Sequence, residues 1–218
     1  WDAPFTANPA SLTKTPQRFG GIIWGNETIA VVFDEWYDTR NTKTYLINPS
    51  DPNQKPKVIS DRNSQDIYSD PGNFETKKNQ YNKNVLAIEN NNAYRIGDGF
   101  TKDGQFPFID EFNLKTLQPK RLYTSPYKDK KEDILEIEDF KTGKVLVQIQ
   151  SKNEYPNYYF RNIKQKNSLT PITSFVSPFE SIKNVSKEVI KYKRKDGVEL
   201  SGTLYLPAGY DKTKKEKL

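Results

Sequence analysis

Three segments of the 218-residue chain share one pattern of residue types. Each begins as an apolar strand that carries aromatic residues and ends at an asparagine, and it continues with a polar turn, a proline and a second short strand. The segments read TYLINPSDPNQKPKVISD, FIDEFNLKTLQPKRLYTS and YYFRNIKQKNSLTPITSF, and their asparagines are Asn48, Asn113 and Asn162. Asparagine suits such a strand end because it tolerates positive φ and because its side chain bonds to nearby backbone. The repetition predicts three copies of one small β unit.

Each copy follows another pair of apolar strand-like segments, such as TIAVVFDEW before the first and KVLVQIQ before the third. Helical periodicity is nearly absent, and the apolar runs are short and bounded by Asn, Asp, Gly and Pro. Four short antiparallel strands in a unit of about 45 to 60 residues are typical of a β-propeller blade. We therefore predict an all-β fold, a partial β-propeller of about three four-stranded antiparallel blades. An irregular β-sandwich is the alternative.

The expected number of blades is too small for a closed ring, since propellers need at least about four. The sequence also begins at Trp1 and contains no methionine. Both features lead us to expect that the chain is an internal fragment or a processed product of a longer protein. The open sheet edges of such a fragment would invite pairing between chains, so we expect some self-association.

The chain contains neither histidine nor cysteine. Within this chain, that excludes disulfides, histidine-bound zinc and the Ser-His or Cys-His pairs of nucleophilic enzymes. We predict no cofactor and no metal site. The net charge is +6, and the basic excess is concentrated in residues 181–218, so the rest is nearly neutral. We expect no nucleic-acid partner, and no apolar run has the length of a membrane span.

Several polar groups could carry chemistry. The segment GDGFTKDG, residues 97–104, contains Asp98 and Asp103 but departs from the spacing of a calcium loop, so a turn between strands is predicted. Paired carboxylates could serve a propeller glycosidase, although Glu136 and Glu138 alternate with apolar residues as on the solvent face of a strand. The candidate carboxylates are Asp34, Glu35, Asp110, Glu111, Glu132, Asp133, Glu136, Glu138 and Asp139.

The segment YPNYYFRN, residues 155–162, places three tyrosines, Phe160 and Arg161 close together. Tyrosine and arginine at a strand end could contact a ligand in a central channel. Aromatic packing within a blade, with Arg161 on the face opposite Phe160, is the favoured interpretation.

The strongest local signal lies near the end of the sequence, in KEVIKYKRKDGVELSGTLYLP. Asp196-Gly197 between two alternating segments predicts a β-hairpin with a type I′ turn. Pro207 ends the second strand because it has no N–H to donate.

This hairpin resembles the opening of the catalytic domain in the prolyl oligopeptidase family of serine peptidases. The positions that match the family pattern are Tyr192, Asp196, Gly197, Leu200, Gly202, Leu204 and Pro207. The stretches WDAPFTANP and IYSDPGNF also resemble glutamyl-endopeptidase-like bacterial members of that family.

The resemblance implies two parts, a partial propeller over residues 1–180 and, over 181–218, a linker with the first hairpin of an α/β-hydrolase domain. The family's catalytic serine, aspartate and histidine would follow Leu218, so no catalytic residue is assigned here. The implied parent is a serine peptidase, in which this fragment gates or lines the substrate cavity without cleaving bonds itself.

The implied partners are a peptide substrate and the fragment's own hydrolase domain, and the implied location is periplasmic or secreted. The substrate-binding residues and the cleavage specificity stay open. A non-catalytic propeller module that binds a protein or a glycan is the alternative.

Overall fold

The computed structural model describes residues 3–165 and 168–214. Within these ranges the regular structure consists of β-strands and three single-turn 3₁₀-helices, at Ile67–Ser69, Glu180–Ile182 and Lys212–Lys214. No helix in the described part of the chain is long and apolar enough to cross a membrane.

The first sheet is a four-stranded antiparallel meander in the order β1-β2-β3-β4, and we call it blade 1. Its strands are β1 (Arg18–Asn26), β2 (Ile29–Trp36), β3 (Asn41–Ile47) and β4 (Lys57–Asn63).

The second sheet, blade 2, and two small hairpins beside it are formed by nine short strands. They are β5 (Asn73–Phe74), β6 (Thr76–Lys78), β7 (Asn84–Leu86), β8 (Ile88–Glu89), β9 (Asn92–Gly97), β10 (Phe100–Thr101), β11 (Gly104–Gln105), β12 (Phe108–Asn113) and β13 (Pro119–Thr124), after the 3₁₀-helix at Ile67–Ser69. The sheet order is β13-β12-β9-β5, and β8 also pairs with β9. The pairs β6-β7 and β10-β11 form two small separate hairpins. Within residues 97–104, the predicted turn between strands is the turn at residues 102–103 that joins β10 to β11.

The third sheet, blade 3, is again a meander in the order β14-β15-β16-β17, and a separate hairpin follows it. The blade 3 strands are β14 (Lys130–Asp139), β15 (Lys144–Ser151), β16 (Asn157–Asn162) and β17 (Ser168–Pro171). The hairpin consists of β18 (Ser186–Lys193) and β19 (Glu199–Leu206). The predicted all-β fold, a partial propeller of three antiparallel blades followed by a C-terminal hairpin, is confirmed; blades 1 and 3 have four strands, and blade 2 has the short β8 as a fifth.

The blades pack face to face in chain order. One core cluster joins blade 1 to blade 2 and includes Val31, Leu46 and Phe112. A second cluster joins blade 2 to blade 3 and includes Ile109 and Val147. The middle blade is therefore buried on both faces, and successive residues of its strands point into different cores.

The three repeated asparagines occupy the same place in each blade, at the end of the third strand. The side-chain oxygen of Asn48 accepts the N–H of Ser50, and Asn162 accepts the N–H of Lys164 in the same way. Asn113 accepts two backbone N–H groups, from Lys115 and Thr116. None of the three asparagines has a positive φ. They recur because their side chains close the turn, and their tolerance of left-handed backbone is not used.

Residues 62–84 contain β5 and β6, where no strand was predicted from the sequence, because strands of two or three residues are too short to show an alternating pattern. One local expectation was wrong. The terminal hairpin has a three-residue connection in place of a type I′ turn. The Gly197 N–H donates to the Arg194 carbonyl over 2.9 Å, and Gly197 has a φ of +89° while that of Asp196 is not positive. The Asp196 carboxylate instead pairs with Arg194.

Candidate functional site

The carboxylates proposed from sequence divide between the surface and the blade interior. Glu136 and Glu138 are exposed on β14, as their alternation predicted. Asp34, Asp110 and Glu132 are buried, one in each blade. In the described ranges, no group of three or more acidic, histidine or cysteine side chains is arranged to hold a metal ion.

In blade 1, the buried Asp34 is held by groups of its own blade and of the segment that precedes it. Its Oδ2 accepts the Tyr45 hydroxyl at 3.0 Å and the Gln17 backbone N–H at 3.2 Å. Burial, followed by the hydrogen bond to Asp34, raises the pKa of Tyr45 to about 12. This carboxylate is therefore engaged in holding the blade together.

The interface of blades 2 and 3 contains a network of polar side chains, of which Glu132 and Arg161 are buried while Tyr123 and Tyr127 are half-buried. Glu132 is 1% exposed and accepts the Arg161 Nε–H at 2.8 Å and the Tyr123 hydroxyl at 2.7 Å. Arg161 also donates to the Tyr127 hydroxyl at 3.1 Å. Burial is the largest single influence and lowers the pKa of Arg161, but the charge of Glu132, the charge of Tyr123 and the hydrogen bonds to Glu132 and Tyr127 together outweigh it, so the pKa is raised. Arg161 thus has a structural place, held by Glu132 and Tyr127. The interpretation favoured from sequence was also structural, but it was aromatic packing within a blade.

The interface of blades 1 and 2 is built around the SDPGNF stretch. The Asp70 carboxylate accepts the Gly72 N–H at 2.8 Å and turns the chain into β5. Gly72 has a φ of +81°, and a Cβ at this position would lie 2.4 Å from the Ile96 carbonyl oxygen. Only glycine fits there. The turn places Phe74 edge-to-face against Phe112, with ring centroids 5.7 Å apart.

A cavity of about 90 Å³ lies beside this turn, between the two blades. The β5 strand and its preceding turn form one side, and the face of blade 1 forms the other with Phe33, Thr44 and Ser60. Arg95 of β9 also lines this cavity and is 5% exposed. Its guanidinium carbon lies 4.6 Å from the Phe112 ring centroid and 5.4 Å from that of Phe74.

Among the residues that the structure describes, Arg95 has no close ionic partner. Its Nε lacks a hydrogen-bond partner among residues 3–165 and 168–214. Burial lowers the pKa of Arg95, and the charge of Asp110 only partly offsets this effect. The carboxylates nearest to Arg95 belong to other arginines, because Asp110 accepts the Arg121 Nε–H at 2.5 Å and Asp70 accepts from Arg62 at 2.6 Å.

Sequence reasoning did not single out Arg95. The available signal was the position of a charged residue inside AYRIG, where the residues on both sides are apolar. In a strand buried on both faces, a charged side chain has no solvent-facing position to occupy.

The terminal segment after blade 3 exposes an apolar surface, which we call the C-terminal face. It includes Phe175, Val176 and Phe179 before the hairpin, and Ile190 and Tyr192 on one side of β18. Val176 is 77% exposed and Tyr192 is 52% exposed. A cleft of about 580 Å³ separates the hairpin from the β15-β16 loop of blade 3. Exposed apolar surface of this extent is typical of a region that another structural unit covers.

No protein-family model matches the chain. The chain is 35% identical over 223 aligned residues to a protein of Arabidopsis thaliana named probable glutamyl endopeptidase, chloroplastic. A rice protein with the same name, from Oryza sativa subsp. japonica, is 35% identical over 216 residues. These alignments cover 94% and 93% of this chain but 23% of each relative, so the chain spans less than a quarter of their length.

Among solved structures, oligopeptidase B from Trypanosoma brucei, with covalently bound antipain, shares the fold. Its TM-score is 0.51 at 12% identity, over 90% of this chain and 26% of that one. The two plant relatives support a prolyl oligopeptidase-like peptidase family, the family that the terminal hairpin resembles.

Proposed function

We propose that the chain is the propeller portion of a serine peptidase and that it gates or lines the substrate cavity without cleaving bonds itself. The observation that carries this proposal is the 35% identity to a probable glutamyl endopeptidase over 94% of the chain. The three blades and the following hairpin support it, because they match the order of elements that the family resemblance implies.

The residue types of the chain indicate which part of the proposed peptidase would carry the catalytic residues. A serine peptidase of the triad type needs a histidine to take the proton of the serine hydroxyl, and this chain has no histidine. The nucleophile, the base and the residue that orients the base would all be supplied by the hydrolase domain. The propeller would supply a wall that restricts access to them.

The proposed partner of the C-terminal face is that hydrolase domain. The hairpin would form the first strands of the domain, and the exposed apolar side chains of 175–192 would be covered by it. This would remove apolar surface from water, which favours association by about 25 cal/mol per Å² buried.

The test is a chimera in which this chain replaces the matching segment of the Arabidopsis relative. We expect the chimera to hydrolyse an unstructured peptide that contains one glutamate, and to spare a folded protein that contains many. The isolated 218-residue chain should hydrolyse neither substrate and should not react with a fluorophosphonate probe for active serines. The relative with the segment deleted is the control, and it should lose the discrimination against the folded protein.

A turnover by the isolated chain would contradict the proposal, and so would a folded chimera that cleaves folded and unstructured substrates alike. Binding of a glycan by the isolated chain, with no effect of the segment on the chimera, would favour the alternative of a binding module.

We also propose that the parent protein is exported to the periplasm or beyond. Fractionation of the native organism with an antibody against this chain tests the proposal, and recovery in the cytosolic fraction would contradict it.

A further inference from the structure

We propose that the cavity between blades 1 and 2 is a binding site for a small carboxylate, which Arg95 holds through its guanidinium. Two independent features define the site. One is the cavity of about 90 Å³, which is large enough for several water molecules or for one short-chain carboxylate. The other is the buried Arg95 side chain, which lines the cavity and whose Nε has no hydrogen-bond partner among the described residues.

The local charge balance favours an anion. Three guanidiniums, those of Arg62, Arg95 and Arg121, face two carboxylates, those of Asp70 and Asp110. Each carboxylate is already bound to an arginine other than Arg95. One positive charge is thus left in a desolvated place, and a single bound anion would neutralise it.

The walls of the cavity favour a carboxylate over a bare inorganic ion. Thr44, Ser60 and Asn73 bring hydroxyl and amide groups that can donate hydrogen bonds, and the planar guanidinium matches the two oxygens of a carboxylate. Phe33 and Phe74 supply apolar surface for a short alkyl chain. Thr44 and Ser60 are half-buried, so the cavity wall remains in reach of solvent.

Such a ligand could be a free short-chain acid or the side chain of an acidic residue in a peptide. The site itself does not depend on the proposed peptidase function, and only the peptide source rests on it. A chimera that cleaves folded and unstructured substrates alike would contradict the proposed peptidase function but not the carboxylate site. A chain that does not bind propionate would contradict the carboxylate site but not the proposed peptidase function.

The experiment is an NMR titration of the 218-residue chain with sodium propionate at constant ionic strength, with sodium chloride as the reference anion. Propionate has the chemical structure of a glutamate side chain beyond its Cα. We expect saturable shifts of the Gly72 and Asn73 backbone amides, which belong to the cavity wall. Arg95→Met should weaken propionate binding by about tenfold or more, because a charge-assisted hydrogen bond is lost.

Arg40→Met is the matched control, since Arg40 also lies over an aromatic ring, that of Tyr37 at 3.8 Å, but does not line the cavity. It should bind propionate like the unaltered chain. If Arg95→Met does not fold, Thr44→Val provides the second test, because it keeps the size of the side chain and removes one donor. It should weaken binding by about fivefold.

Saturable shifts in Arg95→Met as strong as in the unaltered chain would overturn the proposal. Absence of saturable shifts in the unaltered chain would do the same, and so would saturation by chloride or phosphate but not by propionate. A peptide with one glutamate that competes with propionate identifies a peptide side chain as the source. Binding of propionate without such competition identifies a free acid, and both outcomes support the carboxylate site.

Discussion

Two arginines, one at each interface between blades, are buried to the same degree but differ in their partners. Arg161 is 4% exposed and Arg95 is 5% exposed. Arg161 meets Glu132 and Tyr127 and has a raised pKa, whereas Arg95 lies over two phenylalanine rings and has a lowered pKa. The comparison shows that burial does not by itself make a charge structural. The pairing of the charge decides whether the side chain has a structural place or is available to a ligand.

The largest effect is expected from Arg161→Met. This change leaves Glu132 charged and buried without its cation, and such a loss costs about 3–5 kcal/mol of the free energy of unfolding. Urea unfolding followed by circular dichroism measures it.

The double variant Arg161→Met with Glu132→Leu should recover much of that loss, because both charges are then gone. Glu136→Gln on the exposed side of the same strand is the control, and we expect a change within about 0.5 kcal/mol. A loss below about 1 kcal/mol in Arg161→Met would show that the pair does not stabilise the interface of blades 2 and 3.

A smaller loss is expected from Tyr123→Phe, which removes one of the two donors to the Glu132 carboxylate. A hydrogen bond to a charged group contributes about 2 kcal/mol. Tyr155→Phe is the control, because Tyr155 is exposed on a loop. Equal stability of Tyr123→Phe and the unaltered chain would contradict the network described for blades 2 and 3.

The same tyrosine predicts a pH dependence. Burial and the hydrogen bond to Glu132 raise the pKa of Tyr123 above the value of about 10 in the unfolded chain. The unfolded state therefore loses this proton first, and the stability that Tyr123 contributes is complete below pH 10 and declines as the pH rises beyond it. Tyr123→Phe should show a flatter decline than the unaltered chain in alkaline urea titrations, and parallel curves would contradict the assignment.

Arg95→Met should change the free energy of unfolding in the opposite direction from Arg161→Met. In buffer without carboxylates, it removes a buried charge that has no close ionic partner, so the free energy of unfolding should rise by about 1 kcal/mol. The measurement is the same urea titration. A loss comparable to that of Arg161→Met would break the comparison and assign Arg95 a structural place as well.

The smallest effects are expected where the blades do not differ. Asn48→Ala and Asn162→Ala each remove one side-chain bond to a turn N–H, and each should cost about 1 kcal/mol or less. Similar losses of the free energy of unfolding in the two variants would show that the difference between Arg95 and Arg161 does not reflect a generally less stable blade 1 or blade 3. A much larger loss in one variant would show that one of these blades is generally less stable.

The strand pattern and the repeated unit were predictable because they depend on neighbouring residues. Alternation of apolar side chains and the turn chemistry of Asn48, Asn113 and Asn162 act within a few residues. Strand β5 was not predictable, because its two residues carry no pattern and its position depends on Gly72 fitting against the Ile96 carbonyl. The hairpin turn shows the same limit, since the Asp196 carboxylate pairs with Arg194 and leaves the positive φ to Gly197 alone.

The candidate site was less accessible to sequence reasoning than the fold. The sequence identified the candidate carboxylates and predicted that Glu136 and Glu138 lie on the solvent-exposed side of a strand. Arg95 was not predicted to be a site residue, because arginines are common in proteins and their side chains are usually solvated.

By itself, the sequence determined an all-β chain of repeated four-stranded units with a terminal hairpin, and it excluded histidine and cysteine chemistry from this chain. Only the tertiary structure decided which charges meet. Glu132 and Arg161 are 29 positions apart, and Arg95 reaches the cavity only because blade 1 packs on its side of β9. The first pairing depends on how β14 and β16 align within blade 3, and the second depends on how blades 1 and 2 stack; a local pattern of side chains carries no information about either.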